Sequence, residues 1–240
     1  MINFINQKNI NKSDSLFEIK YKLPNNKINI LFSYLRNYTI TPKKFSSAKL
    51  KTLYFDDKFK TSLNESINGE LVKTKFRFRE YISPEDGGAF YSIEIKKREN
   101  NKTLKIKKLI YEKLPKNYKF TTFRSLISTI EKTSKINLNE FYNFLPEKCL
   151  YPSTLIKYDR DRFDSPDSQV RYNLDKNISV KLNSDEFSNI DQLITCDHAI
   201  FEIKSFKPEF FPIFLKKIKL YPSSFSKFAW GGDIIAKIRN

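Results

Sequence analysis

The sequence predicts an α+β fold: an antiparallel β-barrel of about eight strands with a charged interior, flanked by helices. The first observation behind it is a triplet, Glu-Ile-Lys, which occurs at Glu18-Ile19-Lys20, Glu94-Ile95-Lys96 and Glu202-Ile203-Lys204, each time inside a run that alternates apolar and charged residues. The second is that two more runs keep the same period. Lys75, Arg77 and Arg79 alternate with Phe76 and Phe78, and Arg160 and Arg162 follow Tyr158. Successive side chains of a strand point to opposite faces, so acid and base share one face and the apolar residues the other. The third is the sign of the charge. A half-buried sheet often turns a charged face to water, but these five runs are mostly cationic, with a few isolated glutamates. Like charges on neighbouring strands repel. Such faces suit an enclosed polyanion with a bound cation, because Arg forks and Lys points hold phosphate oxygens and carboxylates hold a metal.

The elements follow in order. A strand at Leu16 to Leu23 stops at Pro24, and Ile28, Leu31, Phe32 and Leu35 then fall at helical spacing. Strands are predicted at Leu50 to Phe55, Lys73 to Tyr81, Ala89 to Arg98 and Lys102 to Ile110. The turns between them are signalled by Asn68-Gly69, by Pro84-Glu85-Asp86-Gly87-Gly88 and by Asn100-Asn101. Asp56 and Asp57 read as turn residues. Between Thr121 and Leu145 the apolar positions return to a helical period and give two helices. Strands resume at Thr154 to Phe163, Gln169 to Asp175, Ile178 to Leu182 and Ala199 to Phe206. A final helix is predicted over Pro208 to Leu220, then a loop from Tyr221 to Phe228 and a short terminal segment in which Trp230 packs over that loop. Charges on alternating positions of so many strands favour a closed barrel whose interior holds water or a charged ligand, with helices covering the apolar outside.

At 240 residues the chain can bury a full core as one domain, read here as residues 16–240 after a polar, asparagine-rich tail at 1–15. The net charge of +17 calls for an anionic partner. The basic residues are spread through predicted strands rather than massed in a tail, and no nucleic-acid motif occurs. Cys149 and Cys196 have no metal-ligand spacing, which indicates neither a disulfide framework nor a zinc site and fits a reducing cytoplasm. His198, the single histidine, reads as a turn residue before a strand. No signal peptide and no run of about 18 apolar residues is present, so a soluble cytoplasmic protein without a membrane span is expected.

These motifs resemble the triphosphate tunnel (CYTH-like) superfamily, and within it the catalytic domain of the vacuolar transporter chaperone (VTC) polyphosphate polymerases. The resemblance runs from about Phe17 to the C-terminus. It rests on Phe17-Glu-Ile-Lys-Tyr21, Thr52-Leu-Tyr-Phe-Asp-Asp57, Phe76-Arg-Phe-Arg-Glu-Tyr81, Ile93-Glu-Ile-Lys96, Tyr158-Asp-Arg160, Val170-Arg-Tyr-Asn-Leu-Asp175, Phe201-Glu-Ile-Lys204 and Phe225-Ser-Lys-Phe228, in the family's order. It implies that Lys20, Arg77, Arg79, Lys96, Lys105, Arg160, Arg171, Lys204 and Lys227 line a tunnel as phosphate ligands, with Lys102, Lys107 and Lys108 as alternatives to Lys105. Ser226 would add a hydroxyl and Tyr158 would lie beside the phosphate chain. Glu202 would hold a divalent metal, manganese or magnesium, with Glu18 and Glu94 as further candidates. A basic residue, Lys20 or Lys22, stands where other branches carry a second glutamate, which favours the polymerase branch. The implied activity is metal-dependent transfer of the ATP γ-phosphate to polyphosphate. A tripolyphosphatase or nucleoside triphosphatase, and a non-catalytic polyphosphate-binding module, are the alternatives.

Overall fold

The computed structural model describes residues 17–42, 46–84, 87–100, 102–114, 120–181, 193–206 and 212–239. The tail expected at 1–15 lies outside them, as do Leu16, Asn101, Leu182, the Pro208 end of the predicted helix, and Glu85 and Asp86 of the predicted turn. The strands are β1 (Phe17–Pro24), β2 (Ser47–Asp56), β3 (Val72–Ile82), β4 (Ala89–Glu99), β5 (Lys102–Ile110), β6 (Tyr151–Asp164), β7 (Val170–Lys181), β8 (Leu193–Thr195) and β9 (His198–Ser205). The helices are α1 (Ile28–Tyr38), α2 (Thr61–Ile67), α3 (Phe123–Ser134), α4 (Asn139–Tyr142), α5 (Ile213–Lys217) and α6 (Lys227–Arg239).

All pairings are antiparallel, in the order β1-β9-β7-β6-β2-β3-β4-β5, with β8 added to β7. The sheet curls into a half-barrel. Its two edge strands, β1 and β5, do not pair with each other among the described residues. The curl is nevertheless deep enough for Glu18 of β1 to reach Lys96 of β4 at 3.7 Å. Instead of a backbone seam, side chains span the gap. The outer edge of β1 is covered by residues 221–223, through a bridge from Tyr21 to Pro222 and a hydrogen bond from Ser223 N to Lys20 O at 2.7 Å.

The period-2 pattern sorts the two faces as expected. On the convex side, Phe55, Phe76, Phe78, Ile93, Ile95 and Ile106 bury themselves against Phe123, Leu126, Ile127 and Ile130 of α3 and Phe141 of α4. Farther round, Tyr21, Leu23, Tyr172, Leu174, Phe201 and Ile203 pack on Leu31 and Leu35 of α1 and Leu215 of α5. Each such fully buried side chain contributes about 1.5–3 kcal/mol. α3 starts where Thr122 and Ser125 form a reciprocal capping box, which satisfies donors that a helix start leaves free.

The structure departs from the predicted elements at five places, one of them the short strand β8, which was not expected. The strands predicted at Gln169 to Asp175 and Ile178 to Leu182 are one strand, β7, with Asn177 at φ +51° and a register shift against β6 between Lys157 and Asp159. A residue type that tolerates the left-handed region supplies the bulge that the pattern suggested was a break. α2 was not expected; Asp56 accepts from the Ser62 and Leu63 amides and Asp57 from that of Thr61, so these turn residues also cap a helix. α5 is shorter than the helix predicted over Pro208 to Leu220. The last difference lies in the predicted loop and short segment after Tyr221, where Lys227 opens α6, a helix of 13 residues that includes Trp230.

α6 lies against the concave face at one end of the half-barrel. Phe228 stacks on Tyr54 at 4.5 Å and joins Leu50, Tyr158, Ile156, Ile178 and Val180 in a third apolar cluster. Gly231 and Gly232 make this approach possible. A Cβ on Gly231 would stand 2.4 Å from Ile156 Cδ1, and one on Gly232 2.3 Å from Leu63 Cδ1 of α2.

Candidate active site

Strand register brings the charged residues together. Across the concave face the directly opposed positions are Lys20 and Glu202, Lys204 and Arg171, Glu202 and Asn173, Arg162 and Asn173, Arg160 and Asp175, Arg77 and Glu94, and Glu94 and Lys107. Opposed residues share a face, so the sequence-predicted residues on strands, drawn from seven strands of the sheet, line one surface. Ser226 and Lys227 join them from the start of α6.

Four carboxylates organise the cations. Glu94 is fully buried; Arg77 grips its Oε2 through Nε and Nη2 at 3.1 and 2.6 Å, and Lys105, Arg79 and Lys107 lie at 3.3, 3.8 and 3.9 Å. Burial alone would raise the Glu94 carboxyl, but these cations hold it well below its ordinary value. Arg79 is fixed further by Thr52 Oγ1 at 3.0 Å and the Tyr81 hydroxyl at 3.1 Å. Asp175, also fully buried, takes both arms of Arg160 at 2.6 and 2.8 Å and the Lys227 ammonium at 2.5 Å. The Tyr158 ring lies under both cations, 5.5 Å from the Arg160 guanidinium and 4.9 Å from Lys227 Nζ.

Glu202 and Glu18 form a second, looser group. Lys204 Nζ is 3.1 Å from Glu202 and 3.3 Å from Glu18, and Lys20 is 2.8 Å from Glu18. Burial and the Glu202 charge push the Glu18 carboxyl up, but Lys204, Lys20 and Lys96 outweigh them and bring it down to about 2. Asn173 donates to Glu202 Oε1 at 3.2 Å, while its own Oδ1 is buried without a hydrogen-bond partner. The oxygen donors of Glu202, Glu18 and this orphaned amide suit a hard divalent cation such as magnesium or manganese.

Between these groups lies a row of lysines. Lys75, Lys96 and Lys105 stand in direct register on β3, β4 and β5. Burial, followed by Lys20, Lys96 and Arg77, pushes the Lys75 ammonium down to about 7; burial brings Lys105 down to about 8 despite Glu94, and Lys96 is lowered as well. By contrast Lys204 is raised, chiefly by Glu202, and Lys20 is raised because Glu18 and Glu202 outweigh its burial. The row is thus the part of the face that internal carboxylates compensate least. Lys75 Nζ donates to Ser226 Oγ at 3.0 Å.

Among the competing lysines of β5, Lys105 and Lys107 share the concave face, whereas Lys108 opposes Ile93 on the other; the Lys102 side chain lies outside the described residues. Arg171 sits at the rim, 51% exposed and paired with Asp164 at 3.1 Å. Sequence reasoning left out Lys75 and Arg162 as site residues, although both keep the same period as the residues it chose, and it held Lys107 only as an alternative to Lys105. His198 opens β9, with Nδ1 2.5 Å from Asp197 and 3.4 Å from the Cys196 sulfur. Burial pushes the Cys196 thiol up, so this cluster favours a protonated sulfur over a metal ligand.

No curated protein matches the chain. Among solved structures, the PH1819 protein from Pyrococcus horikoshii OT3 is similar at 10% identity and a TM-score of 0.42, over 85% of this chain and 86% of that one. The VTC domain matches residues 11–235. With a match over nearly its whole length and a half-barrel whose concave face gathers the cations, the chain belongs to the VTC domain family of polyphosphate-related proteins.

Proposed function

We propose that the chain is a metal-dependent polyphosphate polymerase, an ATP:polyphosphate phosphotransferase working on its concave face. The observation that carries this reading is the row Lys75, Lys96 and Lys105, flanked by Arg77 and Lys204. Cations placed side by side at a cost to their own protonation are stabilised by an anion that runs along them. A polyphosphate chain fits, with about one charge per phosphate.

Each residue then has a task. Glu94 holds Arg77 and Arg79 in place, and Asp175 holds Arg160 and Lys227, so that guanidinium and ammonium groups meet phosphoryl oxygens without reorganising. Glu94 is thereby better suited to be a counterion than a metal ligand. Lys20, Lys96 and Lys204 surround Glu18 and Glu202, the residues that would hold the cation. Bound there, a divalent metal would neutralise charge on the phosphate oxygens during in-line transfer. Lys105 and, at the rim, Arg171 extend the cationic path, Tyr158 orients Arg160 and Lys227, and Ser226 offers its hydroxyl. The terminal phosphate of the polymer is the attacking group, so no protein nucleophile is required.

The test is incubation with ATP and manganese, with and without a short polyphosphate primer, and separation of the products on a gel stained for polyphosphate. A ladder of polymer is expected, reduced by about 10²–10³ in Arg77→Ala and Lys204→Ala while circular dichroism shows both folded. Full activity in both variants would sink the reading. Orthophosphate alone would assign a triphosphatase, and tight polyphosphate binding without turnover a binding module.

A further inference from the structure

Two buried polar atoms without hydrogen-bond partners lie on residues at directly opposed positions: Nε of Arg162 on β6 and Oδ1 of Asn173 on β7. An unsatisfied buried group costs about 1–3 kcal/mol, so each atom calls for a partner the polypeptide does not provide. The amide cannot simply be turned over. Its Nδ2 donates to Glu202 Oε1, and the reverse orientation would set Oδ1 against that carboxylate. A donor and an acceptor, both inside the cationic face, therefore await a ligand at one register position. Asn173 is only 2% exposed.

The chemistry of the ligand follows from the pair. A lone anion would satisfy Arg162 but meet the Asn173 carbonyl and Glu202. A lone cation would satisfy Asn173 but meet the guanidinium. A phosphate that carries a divalent cation satisfies both, since hard cations accept neutral amide oxygens beside carboxylates and arginine is matched to phosphate.

We propose that Asn173 and Arg162 complete, beside Glu202, a subsite for a metal-bound phosphate, Asn173 giving a neutral oxygen ligand to the cation and Arg162 holding the phosphate oxygen that shares it. This rests on the metal-dependent reading of the face and adds linkage to it. Lys204, Lys20 and Arg160 crowd the Glu202 carboxylate, so a free cation is repelled until phosphate brings negative charge. Cation and phosphate must then tighten one another by the same factor.

Calorimetry with a methylene-bridged, non-hydrolysable triphosphate chain, with and without manganese, tests this without turnover. In the unaltered protein manganese should tighten triphosphate binding. Asn173→Leu should lose about 10- to 100-fold of that enhancement, read as the ratio of the affinities with and without manganese in the same variant. Asn173→Asp, nearly isosteric, should weaken metal-free binding and enlarge the enhancement. Arg162→Gln should weaken binding in both conditions. If manganese tightens binding equally in Asn173→Leu, Asn173→Asp and the unaltered protein, the two orphaned atoms share a water and the subsite is overturned. If manganese has no effect on the unaltered protein, the metal-dependent reading itself fails.

Discussion

At the scale of single residues, the fold spends its carboxylates on holding cations, and Glu94 shows the consequence most sharply. Glu94→Gln would leave Arg77, Arg79, Lys105 and Lys107 without their shared counterion, so a loss of about 3–5 kcal/mol is expected in urea denaturation, partly recovered by added tripolyphosphate. An unchanged midpoint would show that the cations are compensated elsewhere. Protons report the same imbalance. Lys75 is held down to about 7 against 10.5 in the unfolded chain, so between those values only the unfolded chain keeps the proton and stability rises with pH. A bound polyanion restores the charged form. Triphosphate binding near pH 7.5 should therefore take up protons, seen as heats that differ between buffers of different ionisation enthalpy; equal heats would refute it. Lys105 is 41% exposed and keeps part of its hydration, so Lys75→Met should remove most of the uptake. Glu18, also lowered, gives the same slope in an acid window: its contribution is complete above 4.5 and is lost as pH falls toward 2. The Glu-x-Lys period made the face legible in the sequence, but not which glutamate had four cations around it. That depends on β3 and β5 flanking β4, which no local pattern records.

At the scale of elements, α6 couples the core to the site. A loop and a short terminal segment were expected where Gly231 and Gly232 lie in a helix. The missing side chains of Gly231 and Gly232 are the condition for that helix to lie on β6 and β7 and against α2. Gly231→Ala should cost about 1–3 kcal/mol through overpacking against Ile156. Because the same helix carries Lys227 to Asp175, the substitution should also weaken polyphosphate binding; thermal melts and a binding titration together check this, and lost stability with unaltered binding would show that the helix start adjusts independently. β7 teaches a related lesson. Its continuity passes through Asn177 in a left-handed conformation, and Asn followed by a new apolar run looks, in sequence, like a turn between two strands. The strands with strict alternation, β3, β4 and β9, were legible almost to their ends because burial on one face fixes their phase.

At the scale of the whole molecule, the net charge of +17 acts on a half-barrel whose end strands, β1 and β5, do not pair with each other among the described residues. Cations on facing parts of a curled sheet push it open, and the contact from Glu18 to Lys96 spans the gap. A polyanion between the walls should close the curl further. Tripolyphosphate at about 100 times its dissociation constant should stabilise the fold by about 2.7 kcal/mol, and hydrogen exchange should slow at β1 and β4 more than in the outer helices. Exchange unchanged at β1 would mean that the cleft is rigid without ligand. The strand order itself was not legible: β1 lies beside β9 from the far end of the chain, and a pairing so distant in sequence leaves no trace in either strand.

The placement of α6 bears on how the protein is made. The helix comes after every strand in the chain, so a ribosome has already delivered the entire cationic sheet before Ser226 and Lys227 emerge to occupy one end of it. During that interval the sheet lacks the apolar cover of Phe228, and its lysines stand near a polyanion, ribosomal RNA. A released chain truncated before Phe225 should therefore retain ribosomal RNA that added polyphosphate displaces, whereas the chain that carries α6 should not.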